Sequence, residues 1–162
     1  MAASTNKKVL VARFERPPLE GFVQGAEFSG DAFDLLRPDG SLVHVAFAET
    51  KAICFVRDFE GRETWRENRA FLNRPKSPGI WVRFVFRDGD SIEGTAPNDL
   101  MLMEPAGFSI APPDPTFQNQ RIFVPRGALR AVEVLGVIGS PLKRRTAKKP
   151  GVAEEQMKMF HD

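Results

Sequence analysis

The side chains with which this chain could do chemistry are few and scattered. It has two histidines, one cysteine and one close pair of carboxylates, Asp88 and Asp90 on either side of Gly89. His44 alternates within a strand-like run, and Cys54 sits in the apolar run Ala52-Ile53-Cys54-Phe55-Val56. With one Cys and one His in the body, no Cys/His metal set can be assembled, and a Ser-His-Asp triad would have to use His44. A histidine alternating in a strand reads as a surface or edge residue. A lone Cys in an apolar run makes no internal disulfide and reads as a small buried hydrophobe. Turn chemistry accounts for Asp88 and Asp90, because Asp carboxylates bond nearby backbone and Gly89 accepts positive φ. The expectation is a non-catalytic protein with no metal and no cofactor.

Charge narrows the binding classes. Residues 141–162 carry Lys143, Arg144, Arg145, Lys148, Lys149 and Lys158 against Glu154, Glu155 and Asp162. The rest of the chain holds 17 basic and 18 acidic residues, so the alkaline pI comes from the tail. The body lacks the global positive excess of a typical nucleic-acid-binding domain. No segment approaches the roughly 18 apolar residues of a membrane span, and the N-terminus lacks a signal peptide's apolar region, so a cytoplasmic protein is expected.

The elements that would position any site are strands. Apolar residues make up 42% of 162 positions, enough for a real core, and 14 Phe with no Tyr suit a dry one. Val9 to Phe14 is β-branched and stops at Pro17-Pro18. Ala32 to Leu36 runs into Arg37-Pro38-Asp39-Gly40, a turn with proline and glycine at its corners, and Ser41 to Phe47 alternates after it. Lys51 to Val56 reads as a buried strand. The order then recurs: Ile80 to Phe86, a turn at Arg87 to Asp90, a strand from Ser91, Met101 to Met103, Phe108 to Ile110, Arg121 to Val124, and Leu129 to Ile138. Leu19-Glu20-Gly21 matches Ile92-Glu93-Gly94, Phe33-Asp34-Leu35 matches Phe108-Ser109-Ile110, and Lys51 to Val56 matches Arg130 to Leu135. We read this as an internal duplication: a first β unit at 7–58, a basic linker with a short helix at 59–76, a second unit at 77–139, and a flexible tail at 140–162.

The second half resembles the Sm-like small barrels of Sm, LSm and Hfq proteins, an SH3-like fold of a short helix and a bent five-stranded sheet. The matching residues are the turn at Gly89, Ile92-x-Gly94, Asn98-Asp99, and Phe123-Val124-Pro125-Arg126-Gly127-Ala128-Leu129 before the last strand. The resemblance implies two tandem small barrels. It also implies RNA contact by Asn98, Asp99, Arg126 and Gly127, to which Phe117 of the Pro112–Gln120 loop would add a stacking ring. Pro125 interrupts the second motif, and Gly94 to Asp99 is one residue short of the first. The first half has Ala48-Glu49 where the Arg-Gly pair belongs. The full chain resembles members of an uncharacterised bacterial family with a doubled pattern, which implies no activity.

Two further motifs bear on binding. Arg62-x-x-x-Arg66 before a β pattern is similar to a PilZ cyclic-dinucleotide site, but Gly89 occupies the acidic position that site needs. In the tail, Gln156-Met157-Lys158-Met159-Phe160 resembles the bacterial sliding-clamp-binding peptide, in which Gln156, Met157, Met159 and Phe160 would make the contacts. The leading expectation is a scaffold or protein-interaction module that offers open strand edges, including to a second copy of itself. An Sm-like RNA-binding protein and a clamp-docking protein are the alternatives.

Overall fold

The computed structural model describes residues 6–25, 28–59, 69–113 and 119–139. Ten strands account for most of them. They are β1 (Asn6–Arg13), β2 (Leu19–Gln24), β3 (Ala32–Leu36), β4 (Leu42–Ala46), β5 (Thr50–Val56), β6 (Gly79–Phe86), β7 (Ser91–Ala96), β8 (Gly107–Ile110), β9 (Asn119–Pro125) and β10 (Leu129–Ile138). Three-residue 3-10 turns lie at Phe47–Glu49, Leu100–Leu102 and Arg126–Ala128. The mainly β reading therefore holds. The helix expected within 59–76 falls largely on 60–68, outside the described residues; 69–76 contain no helix.

All pairing is antiparallel, in two open sheets. One has seven strands in the order β4-β3-β2-β1-β5-β9-β8, and the other has three, β10-β6-β7. Neither sheet closes into a barrel among the described residues. A single bridge, Thr95 to Ala111, joins β7 to the chain just beyond β8, with N–H···O bonds of 3.0 and 2.9 Å. Counted through that bridge, each half runs fifth-first-second-third-fourth: β5-β1-β2-β3-β4 and β10-β6-β7-β8-β9.

The weak second-to-third contact recurs at matching residues. In the first half β2 meets β3 only at Phe22 and Leu36, one residue after Gly21; in the second the bridge falls one residue after Gly94. The reason is local. A Cβ on Gly21 would lie 2.5 Å from the Leu36 carbonyl oxygen, and one on Gly94 would lie 2.6 Å from Ile110 Cδ1 and 2.9 Å from the Ala111 oxygen. Only glycine lets the crossing backbones approach so closely. The two glycines picked out as a sequence repeat thus do the same structural work.

The halves are not side-by-side units, because β5 of the first pairs with β9 of the second. Ile53 lies opposite Phe123, Cys54 opposite Ile122, and Phe55 opposite Arg121. Strand β5 is buried along its whole length. Its alternating side chains serve two cores. Ile53 and Phe55 join Val9, Val11, Leu35, Val45 and Phe47 in one, while Ala52, Cys54 and Val56 join Val82, Phe84, Phe86, Ile92 and Ile110 in the other. Strand β9 reciprocates: Ile122 and Val124 enter the second core, and Phe123 crosses into the first. There Phe123 packs 4.6 Å from Phe28, whose ring also meets Phe33 and Phe47. The Phe-rich, Tyr-free composition fills this dry cluster, and Cys54 is buried as expected.

Gly21→Ala should destabilise the fold by about 1–3 kcal/mol, because the new methyl meets backbone that has no room to give. Gly127→Ala, where a Cβ would meet nothing within 4 Å, should change stability by less than about 0.5 kcal/mol. Urea denaturation of both variants checks the contrast; equal effects would refute the close-approach account.

Candidate functional site

Two features stand out from the fold, a charged seam between the halves and an apolar turn on the surface. The seam starts at Lys51, the second residue of β5, whose side chain is only 11% exposed. Its Nζ lies 2.7 Å from Asp88 Oδ2 and 2.9 Å from Asp90 Oδ2. Arg69 adds a 2.6 Å bond to Asp90 Oδ1. The two aspartates can converge because the β6–β7 turn reverses at Gly89, with φ of +91°. They also brace the turn itself: Asp88 Oδ1 accepts from the Asp90 N–H, and Asp90 Oδ1 from the Ser91 N–H.

Aromatic faces and a second cation complete the seam. The Lys51 ammonium sits 5.1 Å from the Phe86 ring centre and 5.9 Å from that of Phe14. Arg87 stacks 3.9 Å over Phe14 and donates to the carbonyls of Ala48 and Gly127. Burial works against the charge on Asp88, but the Lys51 hydrogen bond, the Asp90 N–H and the Lys51 charge outweigh it, so its pKa falls below the usual carboxylate range. The Asp-Gly-Asp turn read in the sequence is thus more than local turn chemistry. It fastens one half to the other, and its cation lies 37 residues away in sequence from Asp88, which is why turn rules alone do not find it.

The residues singled out for RNA contact occupy separate places. Asp99 caps the Leu100–Leu102 turn by accepting from the Met101 N–H at 2.9 Å, and Asn98 precedes it, exposed. Arg126 donates from Nε to the Pro105 carbonyl at 3.0 Å and lies 4.7 Å over the Phe108 ring. Gly127 offers its carbonyl to Arg87. No hydrogen bond or ion pair among the described residues joins Asn98 or Asp99 to Arg126 or Gly127. Phe117, the arginines Arg62 and Arg66, the basic tail and the peptide residues Gln156, Met157, Met159 and Phe160 lie outside the described residues. His44 is on the exposed side of the edge strand β4, 2.8 Å from Asp34. Among the described residues no group of three His, Cys, Asp or Glu could hold a metal ion.

Met101 to Met103, placed by the sequence among the recurring β segments, instead belong to a 3-10 turn, Leu100–Leu102, and its C-cap. Leu100, Met101, Leu102 and Met103 follow one another and all face solvent, Leu100 at 79% and Met101 at 90% exposure. Met101, Leu102 and Met103 border a cleft of about 870 Å³ that reaches Ile110, Glu104 and Arg121. At its base Glu104 Oε1 accepts from Ser109 Oγ at 2.6 Å and lies 3.4 Å from Arg121 Nη2, while the other carboxylate oxygen, Oε2, is buried without a hydrogen-bond partner among the described residues. The signal was available: four apolar residues in a row, straight after the polar pair Asn98-Asp99, fit neither an alternating strand nor a polar loop.

What this arrangement defines is an antiparallel β protein whose charged cluster fastens the fold and whose surface offers apolar side chains. Residues 5–136 match the model of a family of unknown function, DUF6982, and the chain belongs to that family. No curated protein and no solved structure matches it. Among the described residues no helix is long and apolar enough to cross a membrane.

Lys51→Met should cost about 1–3 kcal/mol, since it removes the ammonium that two half-buried carboxylates share, although Arg69 still bonds Asp90. The Asp88 contribution is present above the ordinary carboxylate range and is lost as pH falls through its lowered folded-state pKa. Wild-type stability should therefore drop more steeply below about pH 4 than that of Asp88→Asn. Thermal melts across that window check the sign, and parallel curves would rule the linkage out.

Proposed function

We propose that this protein is a non-catalytic protein-interaction module, and that the Leu100–Met103 turn with its adjoining cleft receives a partner protein. The observation that carries the reading is the run of four consecutive solvent-facing apolar side chains at a capped, ordered turn. Exposed apolar residues scattered singly are ordinary, whereas a contiguous group beside a concave surface marks a place of contact. Methionine suits such contacts because its unbranched thioether adapts to the shape it meets.

The reading of the fold as two Sm- or SH3-like small barrels belongs to this proposal. Its support is the one strand order that both halves follow, with the crossing glycines at matching places. RNA binding by the second half has less support, because Arg126 is already engaged by the Pro105 carbonyl and the Phe108 ring. A cytoplasmic setting agrees with the free thiol of Cys54.

Leu100→Asp with Met101→Asp tests the module reading. Both positions face solvent, so the double variant should keep its melting temperature. A photo-crosslinker placed at Met103 should capture one dominant protein in cells, and binding of that purified protein, followed by calorimetry, should fall at least tenfold in the double variant. A marked loss of thermal stability would mean that the turn packs internally. Unchanged affinity would remove the turn from the contact; either result overturns the proposal.

A further inference from the structure

A second surface, remote in the strand order from the Leu100–Met103 turn, carries an inference of its own. The fold uses one join twice over in its plan but makes it only once. Internally, the fifth strand of the first half (β5) pairs with the fourth strand of the second (β9). The complementary pair, the fifth strand of the second half (β10) and the fourth strand of the first (β4), lies at the two outer ends of the strand orders, each with one bonded neighbour among the described residues. Exposure shows what β10 lacks. Ile53 and Phe55 of β5 are 0% and 5% exposed, whereas Val132 and Val134, at the matching places of β10, are 42% and 63% exposed. Both lie opposite core residues of β6, Val132 against Phe84 and Val134 against Val82. They therefore stand on the core-facing side of a strand beyond which no other strand lies among the described residues.

We propose that β10 of one copy pairs antiparallel with β4 of a second copy of this chain, repeating between molecules the join that β5 and β9 make within one. The internal register transfers directly, because each fourth strand leads through a three-residue 3-10 turn into its fifth. Ile53 opposite Phe123 becomes Val132 opposite His44, Cys54 opposite Ile122 becomes Glu133 opposite Val43, and Phe55 opposite Arg121 becomes Val134 opposite Leu42. Leu42 is itself 68% exposed, so the last pair matches two apolar side chains that now face water. The charge pattern transfers as well. Lys51 meets the turn between the first and second strands of the other half, and the matching cation, Arg130, is exposed. The equivalent turn of the first half carries the exposed Glu15, which gives Arg130 an acidic partner in the second copy. The free stretch is well defined: Arg74 donates to the Val137 carbonyl, so the far end of β10 is held within its own chain, while Leu129 to Leu135, the part that corresponds to β5, is open.

The contact uses two different edges, so every copy joined in this way leaves one β4 and one β10 for the next. Association is then head-to-tail and ends only by closing a ring. That property gives the test. By sedimentation velocity across the micromolar range, the wild-type full chain should run as assemblies well above its monomer mass of 18.1 kDa. Leu42→Lys and Val134→Lys each place a charge on one exposed edge and should each give monomers with unchanged melting temperature. Mixed in equal amounts they should form a dimer, because each retains the edge that the other has lost. A monomeric wild type overturns the proposal, whether the edge is then bare or is covered by the chain's own residues 140–162. Assembly by Leu42→Lys alone, which a symmetric β10-to-β10 contact would allow, overturns it too. None of these substitutions touches Leu100–Met103, so capture at Met103 by the variants reports on the module reading separately.

Discussion

The ladder between β5 and β9 is the contact on which the rest of this structure depends. It joins the two halves of the sequence through backbone hydrogen bonds, and it buries both faces of β5 at once. Because successive side chains of a strand point to opposite sides, one strand can supply Ile53 and Phe55 to one core and Ala52, Cys54 and Val56 to the other. Phe123 makes the same crossing in the opposite sense. The two cores consequently cannot form independently of one another: a slip of one residue in this ladder would turn every one of these side chains to the wrong side.

The charged seam secures that register from the side. Lys51 stands at the start of β5 and meets a turn whose geometry is fixed by Gly89 and by its own two aspartates. A mostly buried ammonium with two carboxylates contributes modestly to stability, since desolvation offsets much of the attraction, but it is costly to mispair. Placed at a join between two similar halves, such a group discriminates between registers more than it strengthens the right one. Arg87, stacked on Phe14 and bonded to carbonyls of the Phe47–Glu49 and Arg126–Ala128 turns, acts at the same place without a carboxylate.

These constraints also explain why the surface features lie where they do. A plan used twice, with one join satisfied inside the chain, leaves the complementary edges on the outside. The interruption between β7 and β8, where only the Thr95–Ala111 bridge holds, gives room for the Leu100–Leu102 turn to project. Its apolar side chains are held out by an aspartate cap and are not drawn into either core. The family is of unknown function; among the described residues Asp88 and Asp90 are engaged in the seam, and His44 pairs with Asp34 on the surface.

Much of this architecture is local, and the local part was legible in the residues. Alternation and β-branching gave the strands, proline and glycine gave the turns, and Cys54 in an apolar run gave a buried thiol. The repeat of Gly21 and Gly94 marked a shared crossing whose steric reason is the same in both halves. Other features were decided by tertiary structure alone. Periodicity says that β5 is buried but not against which strand, because any open edge of suitable register satisfies its hydrogen bonds equally well. Hence the strands could be read from the sequence, but the two open sheets and the β5–β9 ladder that joins the halves within the larger one could not. Asp88 and Asp90 are sufficient as turn residues in sequence, and only the arrival of Lys51 from the other half makes them a fastening. Types and spacing determine what each segment becomes; which segments meet is set by the long-range packing that no short window of sequence contains.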